Sequence, residues 1–339
     1  MQAALASALL FGAGTPVAKL LLGHVSPWML AGLLYIGSGL GLWVLRAVRR
    51  SPRVRLTGQE LPFLVGAVVA GGILGPVLLM LGLSGMPASG AALLLNAEGV
   101  LTAVIAWVVF RENADRRVVL GMAAIVAGAV LLSAPGGARL SGPGPALAVL
   151  GACLCWAVDN NLTRRLALTD ATWLAAVKGA VAGPVNLGLA LLVGSRLPSP
   201  GPLFGGLAVG FVAYGLSLAL FIVGLRHVGT ARAGAYYSVA PFFGAGLAVA
   251  LGDRVTWQLL AAGGLMAVGT GLHLTERHEH VHTHRPVTHD HWHTHDEHHQ
   301  HRHDEPVPPG AWHRHEHEHE HLTHSHEHFP DAHHRHRHA

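Results

Sequence analysis

The stretch LPFLVGAVVAGGILGPVLLMLGL, residues 61–83, contains no charged residue and is long enough to cross a lipid bilayer as a helix. A second uncharged stretch, LFGGLAVGFVAYGLSLALFIVGL, occupies residues 203–225 and ends in the same Gly-Leu pair, 142 positions later. Lipid offers the backbone no hydrogen-bond partners, so such runs favour helices whose backbone bonds close internally. The two stretches predict a membrane protein with an internal repeat.

The repeat extends over most of the chain. Lys19 and Trp28 recur as Arg164 and Trp173, each 145 positions later. Each copy holds five apolar segments, an odd number, so the chain enters the second copy from the opposite side of the membrane. Inverted repeats of this kind place a binding site near the bilayer midplane, where the halves meet and can open alternately to either side.

We therefore predict an all-α membrane protein of ten transmembrane helices, arranged as two inverted five-helix repeats, with a disordered C-terminal tail. The first repeat covers residues 1–135, the second covers 143–275, and the tail covers 276–339. The predicted spans are 3–22, 28–46, 61–82, 87–110, 117–133, 145–164, 172–193, 203–224, 231–251 and 255–274.

Cationic residues are distributed unevenly between the two sets of loops. The loops after even-numbered spans hold twelve arginines, and those after odd-numbered spans hold three. Short cationic loops stay cytoplasmic, so both termini are predicted to be cytoplasmic in a multi-pass protein of the inner (plasma) membrane. The net charge of +4 is thereby explained by topology, and the lipid bilayer rather than nucleic acid is the expected partner.

Charged residues inside the spans are the candidates for function, because each costs roughly 2.5–3.5 kcal/mol at a helix centre. Glu98 lies near the middle of the fourth span, where burial favours the neutral carboxyl, and it is predicted to bind substrate or a proton. Asp159 and Lys178 lie at matching depths in the sixth and seventh spans, where they can pair or act as a gate or ligand clamp. The other predicted binding residues are Asn96, Asn160 and Tyr236.

Five short segments of the body carry further information, namely LLFG at 9–12, FRE at 110–112, WAVDNNLTRR at 156–165, KGAVAG at 178–183 and LGD at 251–253. Together they resemble the EamA-type transporters of the drug/metabolite transporter superfamily, over residues 1–275. The resemblance implies a permease or exporter of amino acids and other small metabolites, with the fourth and ninth spans near the cavity. Where this family commonly has proline in the fourth span, the chain has Glu98, matched by Pro241 in the ninth.

The tail is rich in histidine, since 24 of the 27 histidines lie between His278 and His338. Prolines interrupt it and few apolar residues are present, so disorder is predicted. Alternate residues of an extended chain share one side, and imidazoles beside carboxylates suit Zn, Ni, Co or Cu. The predicted metal ligands are His278, His280, His282, His284, His313, His315, His317, His319 and His321. A pH-sensing tail and an appendage without function are the alternatives.

The sequence thus predicts a secondary transporter of a small metabolite, such as an amino acid, across the inner membrane. A divalent transition-metal ion (Ni, Co or Zn) is the alternative substrate, and a membrane-tethered metal buffer or sensor is the alternative outside transport. We expect no catalytic residue and no enzymatic activity, because no nucleophile and base at workable spacing occur in the body. No cofactor is required, and a homodimer is left open.

Overall fold

The structure is a computed structural model that describes residues 2–51, 54, 56–110, 116–133, 143–163, 166, 170–221 and 237–274, together with four tail segments, 279–284, 288–293, 313–318 and 322–327. The chain divides into two units, Met1–Glu276 and Arg277–Ala339. The described part of the first unit is helical, and strands occur in the second.

The elements are named here in chain order. The helices are α1 (Gln2–Leu21), α2 (Pro27–Val48), α3 (Leu61–Ala67), π1 (Val68–Leu74), α4 (Gly75–Ser84), α5 (Ala88–Leu94), α6 (Ala97–Phe110), α7 (Arg116–Ser133), α8 (Gly144–Thr163), α9 (Ala171–Leu192), α10 (Pro200–Val209), π2 (Gly210–Leu216), α11 (Ala240–Ala250) and α12 (Trp257–Leu274). The strands are β1 (Glu279–His284), β2 (Thr288–His293), β3 (His313–Glu318) and β4 (Leu322–Glu327).

Within the described residues, seven helical stretches are long and apolar enough to cross a membrane. They are Gln2–Leu21, Pro27–Val48, Leu61–Ser84, Ala88–Val109, Gly144–Thr163, Thr172–Leu192 and Pro200–Phe221. Three shorter apolar helices, Val119–Ser133, Ala240–Ala250 and Trp257–Leu272, occupy the positions of the fifth, ninth and tenth predicted spans. The protein is therefore a multi-pass membrane protein, and crossing by ten helices stays a prediction.

Helices α2 and α9 pack against each other and run antiparallel. Ser26, the N-cap of α2, donates from its Oγ to the Oγ of Ser195, just beyond the end of α9, at 2.8 Å. At the opposite end, Arg46 in the last turn of α2 forms a 2.8 Å ion pair with Asp170, the N-cap of α9. Both helices begin with side-chain caps, and each cap also contributes to this helix pair.

Helices α7 and α12 form a second antiparallel pair. A Cβ added at Gly269 would lie 2.6 Å from the carbonyl oxygen of Gly121, and one at Gly128 would lie 3.0 Å from that of Ala262. Small residues permit such close contact between helices in lipid, where no hydrophobic force presses them together. The glycines therefore set the distance between these helices.

The third and eighth predicted spans each contain a π-helical turn, and the two turns lie 142 positions apart. Pro76 accounts for the first, because proline has no backbone N–H and so leaves earlier carbonyls without their helical donor. A backbone N–H at position 76 would donate to the carbonyl of Gly72 in an α-helix and to that of Gly71 in a π-helix. Proline leaves both carbonyls without this donor.

Side chains from three other helices supply the missing donors of π1. Tyr35 on α2 and Trp156 on α8 both donate to the carbonyl oxygen of Gly71, at 2.6 and 3.0 Å. Asn186 on α9 donates to that of Gly72 at 3.1 Å. The irregular turn is thereby held in place by helices of both halves of the chain.

The tail unit contains two antiparallel strand pairs, β1 with β4 and β2 with β3. The backbone register sets His280 opposite His326 and His291 opposite His315. The sequence predicts disorder here because the tail has little to bury. The four described segments of the tail are extended, and their backbone N–H and C=O groups can pair without a hydrophobic core. Disorder of the tail as a whole stays a prediction.

Candidate substrate site

The fourth predicted span is present but is interrupted beside Glu98 by a turn at Leu95 and Asn96. Asn96 accounts for the interruption, because both its Nδ2 (2.9 Å) and its backbone N–H (3.0 Å) donate to the carbonyl oxygen of Leu93. The single uninterrupted helix predicted over 87–110 is therefore two helices, α5 and α6.

The interruption places Glu98 in the first turn of α6. A helix N-terminus carries a partial positive charge, which favours an anionic group there. Discontinuous helices that end inside the membrane are a recurrent feature of substrate sites in transporters. The position of Glu98 therefore has a structural basis that an uninterrupted helix would not provide.

Glu98 is held by α8 from the second half of the chain. Asn160 donates from its Nδ2 to the Oε1 of Glu98 at 2.8 Å and lies 3.4 Å from the Oγ1 of Thr102. The next residue, Asn161, donates to the carbonyl oxygen of Thr102 at 3.2 Å and to that of Ala157 at 2.8 Å. Two consecutive asparagines thus fix α8 against the first turns of α6.

An ion pair lies beside this contact. Lys178 on α9 donates from its Nζ to the Oδ1 of Asp159 at 2.5 Å and to the Oγ1 of Thr163 at 3.1 Å. Thr163 in turn donates to the same Asp159 oxygen at 2.9 Å. The pairing expected from the matching depths of the two residues is present, and the charge of Lys178 is directed at Asp159.

Gly71 of π1 packs directly against this ion pair, and its lack of a side chain leaves space for the Asp159 carboxylate. A Cβ at Gly71 would collide with the carboxylate of Asp159. The same glycine accepts the hydrogen bonds of Tyr35 and Trp156 through its carbonyl. The π-helical turn therefore packs directly against the ion pair of Asp159 and Lys178.

Aromatic side chains from several helices gather in the same region. The ring of Phe11 lies 5.8 Å from that of Tyr214 and 5.4 Å from that of Tyr237, centroid to centroid. Tyr214 also lies 6.1 Å from Tyr35, and Tyr237 lies 4.7 Å from Phe221. Tyr35 also donates to the carbonyl oxygen of Gly71, which joins the aromatic group to π1.

These side chains are only partly buried. Glu98, Tyr35, Tyr214 and Tyr237 each keep a solvent-accessible fraction. Aromatic side chains with a few polar groups are the usual lining of a small-molecule site, and these residues are therefore the candidates for one.

Further charged groups stabilise the helix ends. Lys19 donates to the carbonyls of Leu83 and Ser84 at the end of α4, and Asp253 accepts from the backbone N–H of Ser89 in the first turn of α5, at 2.7 Å. Both contacts place a charge at the helix end that its dipole favours. Lys19 therefore has a structural partner and lies outside the Glu98 site.

The ion pair between Arg46 and Asp170 lies beyond the membrane-spanning residues of α9. Burial alone would raise the pKa of Asp170. Hydrogen bonds from the Thr172 hydroxyl, the Arg46 guanidinium and the Trp173 backbone N–H outweigh burial, so the pKa of this carboxyl lies below its usual range. Asp170 is therefore stabilised in its charged form.

The structure joins some of the predicted site residues and separates others. It brings Glu98 to Asn160 and Asp159 to Lys178. Asn96 lies apart, since its amide faces its own helix and the Sδ of Met266 on α12, at 3.9 Å. Tyr236 lies outside the described residues.

Sequence reasoning missed Phe11 and Tyr214 as neighbours of the site. Thr102 and Thr163 share helical faces with Glu98 and Asp159, because each threonine follows its carboxylate by four positions. No local signal joins Phe11 to Tyr214, which lie far apart in the sequence.

Of the predicted metal ligands, His280, His282 and His284 lie in β1, and His313, His315 and His317 lie in β3. The others, His278, His319 and His321, lie outside the described residues. Among the residues whose side chains are described, no group of three or more His, Cys, Asp or Glu could hold a metal ion. Metal binding by the tail stays a prediction.

The fold and the site define a class of protein, a multi-pass membrane protein with a polar site between its helices. Comparison with known families gives two matches to the EamA-like transporter family, at residues 1–134 and 144–275. The chain belongs to the EamA-like transporter family, and it is a membrane transporter. The predicted resemblance is confirmed.

The chain is also similar to a curated protein and to a solved structure. An uncharacterized transporter from Methanothermobacter thermautotrophicus strain Delta H is 26% identical over 254 residues, which cover 69% of this chain and 74% of that protein. A protein solved by crystallography superposes with a TM-score of 0.61 at 21% identity, covering 80% of this chain and 96% of that one. The second likeness concerns the fold alone.

Proposed function

We propose that this protein is a secondary transporter that moves a small metabolite, such as an amino acid or a related compound, across the inner membrane by alternating access. Glu98 is the carboxylate that binds substrate or a proton, and Asn160 holds it in place. Asp159 and Lys178 form the structural wall beside it. The family supports transport, and the residues of the site support this division of roles.

The observation that carries the proposal is the position of Glu98. Its carboxylate lies at the start of a helix that follows an interruption, it is only partly buried, and its hydrogen-bond partner Asn160 comes from the other half of the chain. A charge at such depth is costly and is retained where it serves a function. A contact between halves is also the contact that changes when the halves rock against each other.

Three observations support an inverted arrangement of the halves. The family matches the chain twice, at residues 1–134 and 144–275. The π-helical turns π1 and π2 lie at equivalent positions in the two matches. The antiparallel pairs α2 with α9 and α7 with α12 each join a helix to its counterpart in the other match. Helices that are equivalent by an in-plane twofold axis must run in opposite directions.

The function is tested with everted membrane vesicles that contain the full-length protein. An imposed pH gradient drives uptake from a mixture of cellular metabolites, and the vesicle contents are measured by mass spectrometry. We expect at least one metabolite to accumulate with the wild type and with Glu60→Gln, and to be lost with Glu98→Gln. Glu60 is the matched control, because its carboxylate accepts hydrogen bonds from the backbone N–H and the hydroxyl of Thr57, at the start of α3 and away from Glu98 in the sequence. Equal accumulation by Glu98→Gln and the wild type would overturn the role of Glu98.

We further propose that the tail binds a transition metal (Zn, Ni, Co or Cu) on the cytoplasmic side, the side that the arginine-rich loops predict for both termini. The backbone register supports this, because histidine lies opposite histidine at His280 with His326, at His282 with His324 and along β2 with β3. Two-stranded pairs gain little stability by themselves, and a shared metal ion would add to it. A metal ion as substrate and a tethered metal buffer stay the alternatives, and the homodimer stays a prediction.

A further inference from the structure

Helices α2 and α9, which pair across the two halves of the chain, are joined at both of their ends. The Oγ atoms of Ser26 and Ser195 lie 2.8 Å apart at one end, and Arg46 pairs with Asp170 at 2.8 Å at the other. Arg46 is 6% exposed and also donates to the Oγ1 of Thr172 at 3.0 Å. The two ends of α2 are twenty residues apart, about 30 Å along a helix, which is the thickness of the hydrocarbon core. The pair is therefore closed at both ends of a membrane span.

Between these ends the two backbones are in direct contact. Three glycines leave no room for a side chain, because an added Cβ would lie within 3 Å of the backbone nitrogen opposite. The contacts are Gly32 with Leu187 (2.8 Å), Gly183 with Ile36 (2.7 Å) and Gly39 with Ala180 (2.6 Å). Seven residues forward on α2, from Gly32 to Gly39, correspond to seven residues back on α9. Equal steps mean that the helices lie alongside each other over two turns rather than crossing at one point.

The contact of α1 with α11 is of a different kind. Its glycine contacts lie at one crossing, where Gly12 meets Ala240 and Gly244. Two helices that touch at one point can tilt against each other about that point. Helices that touch along a line must separate at one end when they tilt, because packed interfaces do not deform continuously. Tilting α2 against α9 would therefore break the serine contact at one end or the ion pair of Arg46 with Asp170 at the other.

The candidate site is attached to this helix pair unequally. Lys178 on α9 binds Asp159 on α8 in a largely buried ion pair, so α8 is tied to the pair. Glu98 and its helix α6 are joined to α8 by the side-chain amides of Asn160 and Asn161. Hydrogen bonds of this kind cost less to break than a buried ion pair does. A change around Glu98 is therefore easiest between α6 and α8.

From these contacts we infer that α2 and α9 form a fixed scaffold that stays joined throughout the transport cycle, and that access to Glu98 changes by movement of α6 against α8. This inference rests on the proposed transport function and specifies its moving parts. Rocking of two intact halves would instead part α2 from α9 at one end in each state. A covalent bond between α2 and α9 should therefore leave transport intact.

The inference is tested with a disulfide between α2 and α9 in the full-length protein. Ser26→Cys and Ser195→Cys are introduced where the free cysteines Cys153 and Cys155 are replaced by alanine, because hydroxyl oxygens 2.8 Å apart place two sulfurs within reach of a bond. Everted vesicles are oxidised with diamide, and the remaining thiols are measured with a maleimide after denaturation. We expect the disulfide to form with the pH gradient imposed in either direction, and accumulation from the mixture of cellular metabolites to change by less than about twofold.

Ser26→Cys alone, treated in the same way, is the matched control for oxidation. Accumulation that is lost when the disulfide forms and regained on reduction would overturn the inference. A disulfide that forms under one direction of the gradient alone, or not at all, would also overturn it, and this readout decides if the reduced double variant is inactive. The proposed function fails by a different result, accumulation that Glu98→Gln does not change, and formation of the disulfide under both gradients still tests the scaffold in that case.

Discussion

Asn186 donates a 3.1 Å hydrogen bond to the carbonyl oxygen of Gly72, and so links α9 of the second half to the π-helical turn of the first. Asn186 is fully buried, and the bond replaces a backbone donor that Pro76 lacks. The Oδ1 atom of Asn186 has no hydrogen-bond partner in the described part of the chain. The Asn186 side chain therefore contributes through its Nδ2 donor, and its contact with π1 depends on this one hydrogen bond.

Replacing Asn186 with leucine should destabilise the fold by about 1–2 kcal/mol, because the carbonyl of Gly72 is left buried without a donor. Thermal unfolding of the purified protein in detergent measures this. Val185→Ala on the same helix, at a position that is 40% exposed, is the control and should change stability much less. An unchanged unfolding midpoint in Asn186→Leu would show that the π-helical turn does not need this bond.

Neutralising one member of the Lys178 and Asp159 pair should destabilise the protein by about 3–5 kcal/mol, because the other charge stays buried alone. Neutralising both, as Lys178→Met with Asp159→Asn, should recover much of that loss. A double-mutant cycle on unfolding measures the coupling. If the recovered double variant also transports, the pair is structural, as we propose, and if it folds but does not transport, the gate or clamp interpretation is correct.

Adding one methyl group at Gly71 should be harmful. A Cβ there collides with Asp159, and overpacking of this kind costs about 1–3 kcal/mol. Gly71→Ala should therefore lower both stability and transport. Gly188→Ala on α9 is the control, since a Cβ at that position has nothing within 4 Å, and it should be neutral or slightly stabilising. Equal behaviour of the two variants would contradict the packing described for π1.

The ion pair of Asp170 with Arg46 should give a pH dependence of stability. The pKa of Asp170 is lower in the folded protein than in the unfolded chain, so its contribution is fully present above the ordinary aspartate value of about 3.9 and is lost as the pH falls through the folded value. Unfolding midpoints between neutral and acidic pH, compared with Asp170→Asn, measure this. A wild type and variant that differ by the same amount at every pH would contradict it.

Removing the tail should abolish metal binding and leave the body intact, because the tail forms its own unit. A chain ending at residue 276 is compared with the full chain by calorimetric titration with Zn²⁺ and by vesicle uptake. We expect loss of the high-affinity metal sites with unchanged transport. Undiminished metal binding by the shortened chain would place the metal in the body and revive the metal-substrate alternative.

The transmembrane spans and the pairing of Asp159 with Lys178 could be predicted from the sequence. The features that could not be predicted depend on contacts between distant parts of the chain. The depth of Asp159 and Lys178 in neighbouring spans predicted their pairing, because helix geometry converts position into height. The interruption beside Glu98 was not predicted, since one asparagine in an apolar run changes helix propensity only slightly.

The partner of Glu98 and the aromatic contacts could not be assigned from local patterns. Asn160 was a candidate, but its contact with Glu98 depends on how α8 packs against α6. The strands of the tail were missed for a different reason. Composition indicates whether a segment can build a core, and backbone pairing in the tail needs none.

Alternating access requires the region around Glu98 to open to each side of the membrane in turn. Thr102, which lies beside Asn160 and is only partly buried, is suited to report on it as Thr102→Cys in a background where Cys153 and Cys155 are replaced. A membrane-impermeant maleimide is applied to right-side-out and to everted vesicles. We predict labelling in both, with protection by the transported solute. Labelling from one side alone, with or without solute, would contradict alternating access at Glu98.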